Sequence, residues 1–226
     1  MSASRTGLFA VLLSLAQALA PAQVVAAQNA DDVAMLQSRI ALLESRSDIP
    51  TGERSLALEQ LRAALARLES AAAARVAAER YNKELQDAST TIAQLSAESD
   101  TPMAAAPINA SLDDSVQLQL QLASMQASAA TLRSRSQVLS EQLRALVLRP
   151  AAARLELVGL RHELARTQVA VPAVASALQL EVGHIRDDAV RQDLSARIAM
   201  IEQELLSLPT REAIAAAQRD LAARQL

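Results

Sequence analysis

The chain has 226 residues, a formal charge of −3, no cysteine, and Phe9 and Tyr81 as its only aromatic residues. Cores of this size normally bury several large aromatic side chains, so the composition speaks against a compact enzyme with a deep pocket. Slight net acidity speaks against a nucleic-acid surface, which needs a basic stripe, and the lack of cysteine excludes a disulfide framework or thiolate metal site. Ala, Leu, Glu, Gln and Arg dominate instead; these are the best helix formers, and such a composition belongs to long helices in a coiled coil or slim bundle.

Residues 1–27 read as an export signal. Arg5 and the amino terminus form a short positive region, Leu8 to Leu19 is apolar, and Pro21 interrupts it. Val25-Ala26-Ala27 places small residues where signal peptidase needs them, so cleavage after Ala27 is expected, with Ala22 or Ala20 as alternatives. The apolar run is shorter than the ~20 residues a spanning helix requires. The mature chain is therefore expected in the periplasm.

The first helix of the mature chain carries Val33, Leu36, Ile40 and Leu43 on one face. Pro50 and Gly52 in "SDIPTGER" end it, and Thr51 or Asp48 can cap the next helix. The second helix, from about Glu53 to Ala97, has Leu58, Leu61, Leu65, Leu68 and Ala72 in heptad spacing. Its register slips through "SAAAARVAAERY" and resumes at Leu85, Ala88, Ile92 and Leu95, a stutter that locally changes supercoiling. Residues 28–100 thus form an N-terminal hairpin, and 101–114, with Pro102 and Pro107, a linker.

The third helix is the cleanest signal. Leu118, Leu122, Met125, Ala129, Leu132, Ser136, Leu139, Leu143 and Leu146 alternate four and three apart, the spacing of knobs-into-holes packing. Arg149-Pro150 is expected to stop it sharply, with Leu157, Leu160, Leu164 and Val171 returning as an antiparallel partner. "VAVPAVASALQLEVGHIRDD" reads as another break. A fifth helix carries Val190, Leu194, Ile198, Ile201, Leu205 and Leu208; Pro209 breaks it, Thr210 caps a sixth, and Ile214 and Leu221 start a stripe left bare for self-association. The fold class is all-α: extended antiparallel hairpins or coiled coil with Pro-containing corners, hairpins filling 115–226.

Chemistry is hard to find in this pattern. His162 and His184 stand on different helices without a ligand set at metal spacing. Asp113-Asp114 and Asp187-Asp188 sit at expected helix starts, where the dipole favours carboxylates. No nucleophile elbow, phosphate loop or dinucleotide fingerprint is present. No enzyme activity, cofactor, metal, nucleic acid or small-molecule substrate is expected.

Three corners carry a resemblance: Asp48-Ile49-Pro50 between leucine-rich helices, Arg149-Pro150 before an Ala/Leu/Glu helix, and Leu208-Pro209-Thr210-Arg211 before a helix with Arg219-Asp220-Leu221. In this order, behind an export signal, they resemble the N-terminal periplasmic coiled-coil region, the MscS porin domain, of large MscS-type mechanosensitive channels of the KefA/MscK kind. "QDAST" at 86–90 stands where that pattern has an Ala-Pro corner. The resemblance implies structural roles for Pro50, Arg149, Pro150, Pro209, Thr210 and Arg211. It also implies further periplasmic helices and membrane spans in the same or a downstream-encoded channel part, with this chain non-conducting by itself. Homo-oligomers through the coiled-coil seams are expected. The competing expectation is a stand-alone periplasmic coiled-coil scaffold or adaptor.

Overall fold

The computed structural model describes residues 20–101, 115–167 and 176–226. Four long helices account for them: α1 (Ala20–Ser45), α2 (Thr51–Asp100), α3 (Ser115–Thr167) and α4 (Ala177–Arg224). The all-α expectation holds, with four helices in place of six. Most of the export signal, residues 102–114 of the expected linker 101–114, and Val171 lie outside the described residues, and Ala27 falls within α1. The chain divides into two compact units, one of Met1–Val76 with Leu160–Ile198, the other of Ala77–Gly159 with Ala199–Leu226.

The first unit is built on an antiparallel α1–α2 hairpin. Leu36 and Leu43 are buried against Ala57, Leu61, Ala64 and Leu68, and Val182 and Ala189 of α4 complete this core. Val33 and Ile40 flank it, as the spacing predicts. The turn at Pro50 is braced by charge: the Arg46 guanidinium donates to both oxygens of Asp48, and Arg54 donates to the Arg46 carbonyl. Asp48 is thus held by Arg46 rather than serving as the expected cap.

On α2 the predicted stripe is buried at Leu61 and Leu68, while Ala57, Ala64 and Ala71 take the buried places expected for Leu58, Leu65 and Ala72. Ala57, Ala64 and Ala71 are buried seven apart, with Leu61 and Leu68 between them, whereas Leu58 and Leu65 are only partly covered. Alanine at the centre lets helices approach closely, and the flanking leucines close the sides. The helix also runs unbroken past residues 86–90, consistent with the absence of proline there.

The expected corners at Pro150 and Pro209 are corrected by the structure, since both prolines lie inside helices. A proline in a helix interior gives up one backbone hydrogen bond and costs about 3 kcal/mol. Helix α3 nevertheless continues because its seam passes through the site in register. Leu139, Leu143, Leu146, Pro150, Ala153 and Leu157 alternate four and three apart, all buried or half-buried. Likewise Leu194, Ile201, Leu208, Ala215 and Ala222 are buried at strict seven-residue spacing through α4, with Pro209 on the exposed side. Stopping at either proline would forfeit covered positions beyond it. Thr210 is consequently an interior helical residue rather than a cap, and Ile214 and Leu221 are half-buried rather than bare.

The expected break before residue 188 is also shorter than predicted, because α4 starts at Ala177. Ser176 and Gln179 form a reciprocal capping box: the Gln179 amide donates to Ser176 Oγ, and the Ser176 amide to Gln179 Oε1. Asp187 and Asp188 therefore sit within the helix, paired to Arg186 and Arg191.

Candidate functional site

Polar side chains converge at two places, one in each unit. In the second unit a cleft of about 750 Å³ lies between the C-terminal part of α2, the middle of α3 and the last part of α4. Its apolar floor includes Leu146, Ile214 and Ala215; its rim is charged.

Arg149 is the centre of the rim. Its Nε donates to Glu204 Oε1 at 2.7 Å and its Nη2 to Glu204 Oε2 at 2.6 Å, a two-pronged fork from α3 to α4. The same Nη2 reaches Glu156 at 3.3 Å. Such planar bidentate pairs are the strongest charge-assisted hydrogen bonds proteins make. The Glu204 bonds push the Arg149 pKa up, against a smaller opposing effect of burial. Glu204 itself is buried, and the hydroxyl of buried Ser207 donates to its carbonyl at 2.9 Å.

Arg211 belongs to the same rim. Its Nε lies 3.3 Å from Glu84 Oε2, and Arg80 Nε lies 3.6 Å from Glu84 Oε1. Glu84 Oε2 is buried and accepts no aligned hydrogen bond, so this contact is an attraction of charges rather than a directed bond. Both guanidinium groups also stand over the Tyr81 ring, at 5.1 and 5.2 Å from its centroid, within cation–π range. Lys83, the only lysine of the chain, and Asp87 line the cleft beside them.

The first unit holds the complementary case. Asp193 of α4 is 0 % exposed. Arg67 Nη1 donates to its Oδ2 at 2.9 Å, and the Ser70 hydroxyl to its Oδ1 at 2.7 Å, both from α2. A carboxylate placed among apolar helices is tolerable only when paired in this way.

Glu204 and Asp193 are each held by a guanidinium from another helix, Asp193 by a hydroxyl as well, and these pairs fix which turns of α3 and α4, and of α2 and α4, meet. His162 and His184 are exposed. Among the described residues no group of three or more His, Asp or Glu side chains is placed to hold a metal ion.

The structure thus brings Arg149 and Arg211, from two separate motifs, to one cleft, with Pro150, Pro209 and Thr210 as their neighbours along the helices. Pro50 stands apart in the α1–α2 turn, and Ala27 is in the first turns of α1. Sequence reasoning missed Asp193, Glu204, Glu84 and Tyr81. The available signal was polar residues on the apolar side of α4: Asp193 adjoins Leu194, and Glu204 lies between Ile201 and Leu208.

A family model described as "Mechanosensitive ion channel porin domain" matches residues 39–226, which include part or all of every helix. No curated protein and no solved structure matches the chain.

Proposed function

The chain belongs to the mechanosensitive ion channel porin domain family, and from that premise we propose that it is the periplasmic helical module of an MscS-type mechanosensitive channel. This is a family of channel domains, not of enzymes. In the proposed role the chain does not conduct. It supports or modulates a membrane channel part, encoded with it or downstream. The observation that carries the reading is the match over 39–226. No helix among the described residues is long and apolar enough to cross a membrane.

The helices suit a mechanical element. Their buried ion pairs resist sliding of one helix along another, because a shift of one turn would strand Glu204 or Asp193 without its partner. Force applied at one end is then carried along helices rather than lost in slippage.

The test has two arms. A reporter active only outside the cytoplasm, fused after residue 226, should be active and lose activity when residues 1–27 are removed. Patch recordings from cells with and without the chain should show a changed tension threshold for MscS-type conductance. An inactive reporter would overturn the periplasmic placement, and an unchanged threshold the channel role. One observation favours the alternative of a stand-alone scaffold: Ala215 and Ala222 are covered by the chain's own helices. That alternative predicts an active reporter with no change in threshold.

A further inference from the structure

Within the cleft of the second unit, the Arg149–Glu204 fork is complete in itself. The α2 wall is not closed in this way. Arg80, Lys83, Glu84 and Asp87 follow one another three, one and three residues apart, so they share one side of that helix. They line the cleft together with Arg211 of α4. Beside the neutral fork this leaves three cations against two carboxylates, an excess of one positive charge.

These cations are also short of acceptors. Arg80 and Arg211 share the single carboxylate of Glu84, at 3.6 and 3.3 Å, and neither makes a directed hydrogen bond to it. Their contact with the face of Tyr81 uses their charge and none of their acceptor needs. Lys83 has no ion pair or hydrogen bond among the described residues. The Arg211 side chain is only 30 % exposed, so it holds N–H donors without acceptors where water covers it poorly, an arrangement that costs stability until a partner takes them. Next to these donors lies an apolar floor that includes half-buried Leu146 and Ile214. The volume of about 750 Å³ falls within the range of small-molecule sites.

We propose that this cleft binds a small amphiphilic anion, a carboxylate on an apolar body. Arg80, Lys83 and Arg211 take the acid group, and the body lies on Leu146 and Ile214. A planar carboxylate matches the guanidinium fork. The excess positive charge disfavours a cationic ligand, and an inorganic anion leaves the floor uncovered. Three cations at one point do not make the stripe that a polyanion needs. The ligand joins α2 to α4 where Glu84 and Arg211 meet only loosely. The composition and motifs of the chain do not announce such a site, and it does not rest on the channel reading.

The purified chain carries its own reporter. Tyr81 is its only tyrosine and it has no tryptophan, so tyrosine fluorescence reads the cleft. Sodium decanoate, added below its micellar range, should change that fluorescence saturably. Arg211→Gln should weaken binding roughly tenfold and Lys83→Gln roughly threefold. Lys83 is exposed and unpaired, so its substitution keeps the test valid even if circular dichroism shows that Arg211→Gln loses helicity. Decyltrimethylammonium, with the same alkyl chain and the opposite charge, should give no saturable change, and neither should inorganic phosphate. The absence of a saturable response to decanoate would overturn the proposal. An equal response to decyltrimethylammonium would do so too, since the cleft would then be an apolar surface only. An equal response to phosphate would leave the floor without a role, and unchanged affinity in Lys83→Gln and in a folded Arg211→Gln would leave the cations without one; either result overturns it.

Discussion

The most consequential single residue in the first unit is Asp193, because its burial is complete and its partners come from another helix. Removing a partner of a buried charge costs more than the pair itself contributes, since the remaining group stays desolvated. Arg67→Ala leaves the fully buried Asp193 carboxylate with Ser70 as its remaining donor and should therefore lower stability by about 2–4 kcal/mol, read from chemical unfolding followed by circular dichroism. Asp193→Ala should cost less, about 1–3 kcal/mol, because the half-exposed Arg67 it leaves behind is reached by water. The reverse order would mean that Asp193 is not held as the geometry indicates. Asp48, at the Pro50 turn, answers to pH. The Arg46 guanidinium bonded to it holds its carboxyl below the ordinary carboxylate value. Its contribution to stability is present above the unfolded value, about 3.9, and is lost as pH falls through the lowered folded value. Carboxyl-carbon NMR titration should show Asp48 titrating below ordinary aspartates, and Arg46→Ala should return it to the usual range.

At the scale of helices, Pro150 distinguishes a corner from a continuous helix. In a corner, proline suits the turn and its removal gains nothing. Inside α3 it costs a backbone hydrogen bond at a position where the helix continues. Pro150→Ala should therefore raise stability by about 1–3 kcal/mol with helicity unchanged or higher; a loss on thermal unfolding would restore the corner. The central alanines give the opposite sign. Ala64 and Ala71 are fully buried, so Ala71→Leu should destabilise by about 1–3 kcal/mol through overpacking. Much of this level is legible in the sequence. The α1 stripe and the α3 seam from Ala129 to Leu146 are visible as apolar periodicity, because each packs along one face. Two features mislead. Proline is a strong local signal, and it conceals a register that runs unbroken from Leu146 through Pro150 to Ala153. On α2 Leu61 and Leu68 are buried as the pattern predicts, but ranking by size picks Leu58 and Leu65 where the small Ala57 and Ala64 are the buried residues. The site is the least legible, because Arg149–Glu204 and Arg67–Asp193 join residues far apart in sequence.

For the whole molecule, the question is how far the loss of one ion pair is felt. Each unit has its own apolar core and its own paired carboxylate. Where contacts are mostly to neighbouring turns, stability is a local quantity and opening occurs in contiguous segments. Asp193→Ala should then speed amide exchange chiefly in residues 51–76 and 177–198, which surround the lost carboxylate. Arg149→Ala strands buried Glu204 and should speed exchange chiefly in residues 139–157 and 199–222, at a cost of about 1–3 kcal/mol. Helices α2, α3 and α4 each contribute residues to both units, so the competing expectation is one cooperative block in which either substitution accelerates exchange everywhere. Hydrogen–deuterium exchange by mass spectrometry, resolved by peptide, separates the two. Segment-specific acceleration would give the proposed channel module two independently adjustable strengths, one set by Arg67–Asp193 and the other by Arg149–Glu204. Uniform acceleration would mean that the continuous helices, rather than the ion pairs, set how the chain yields.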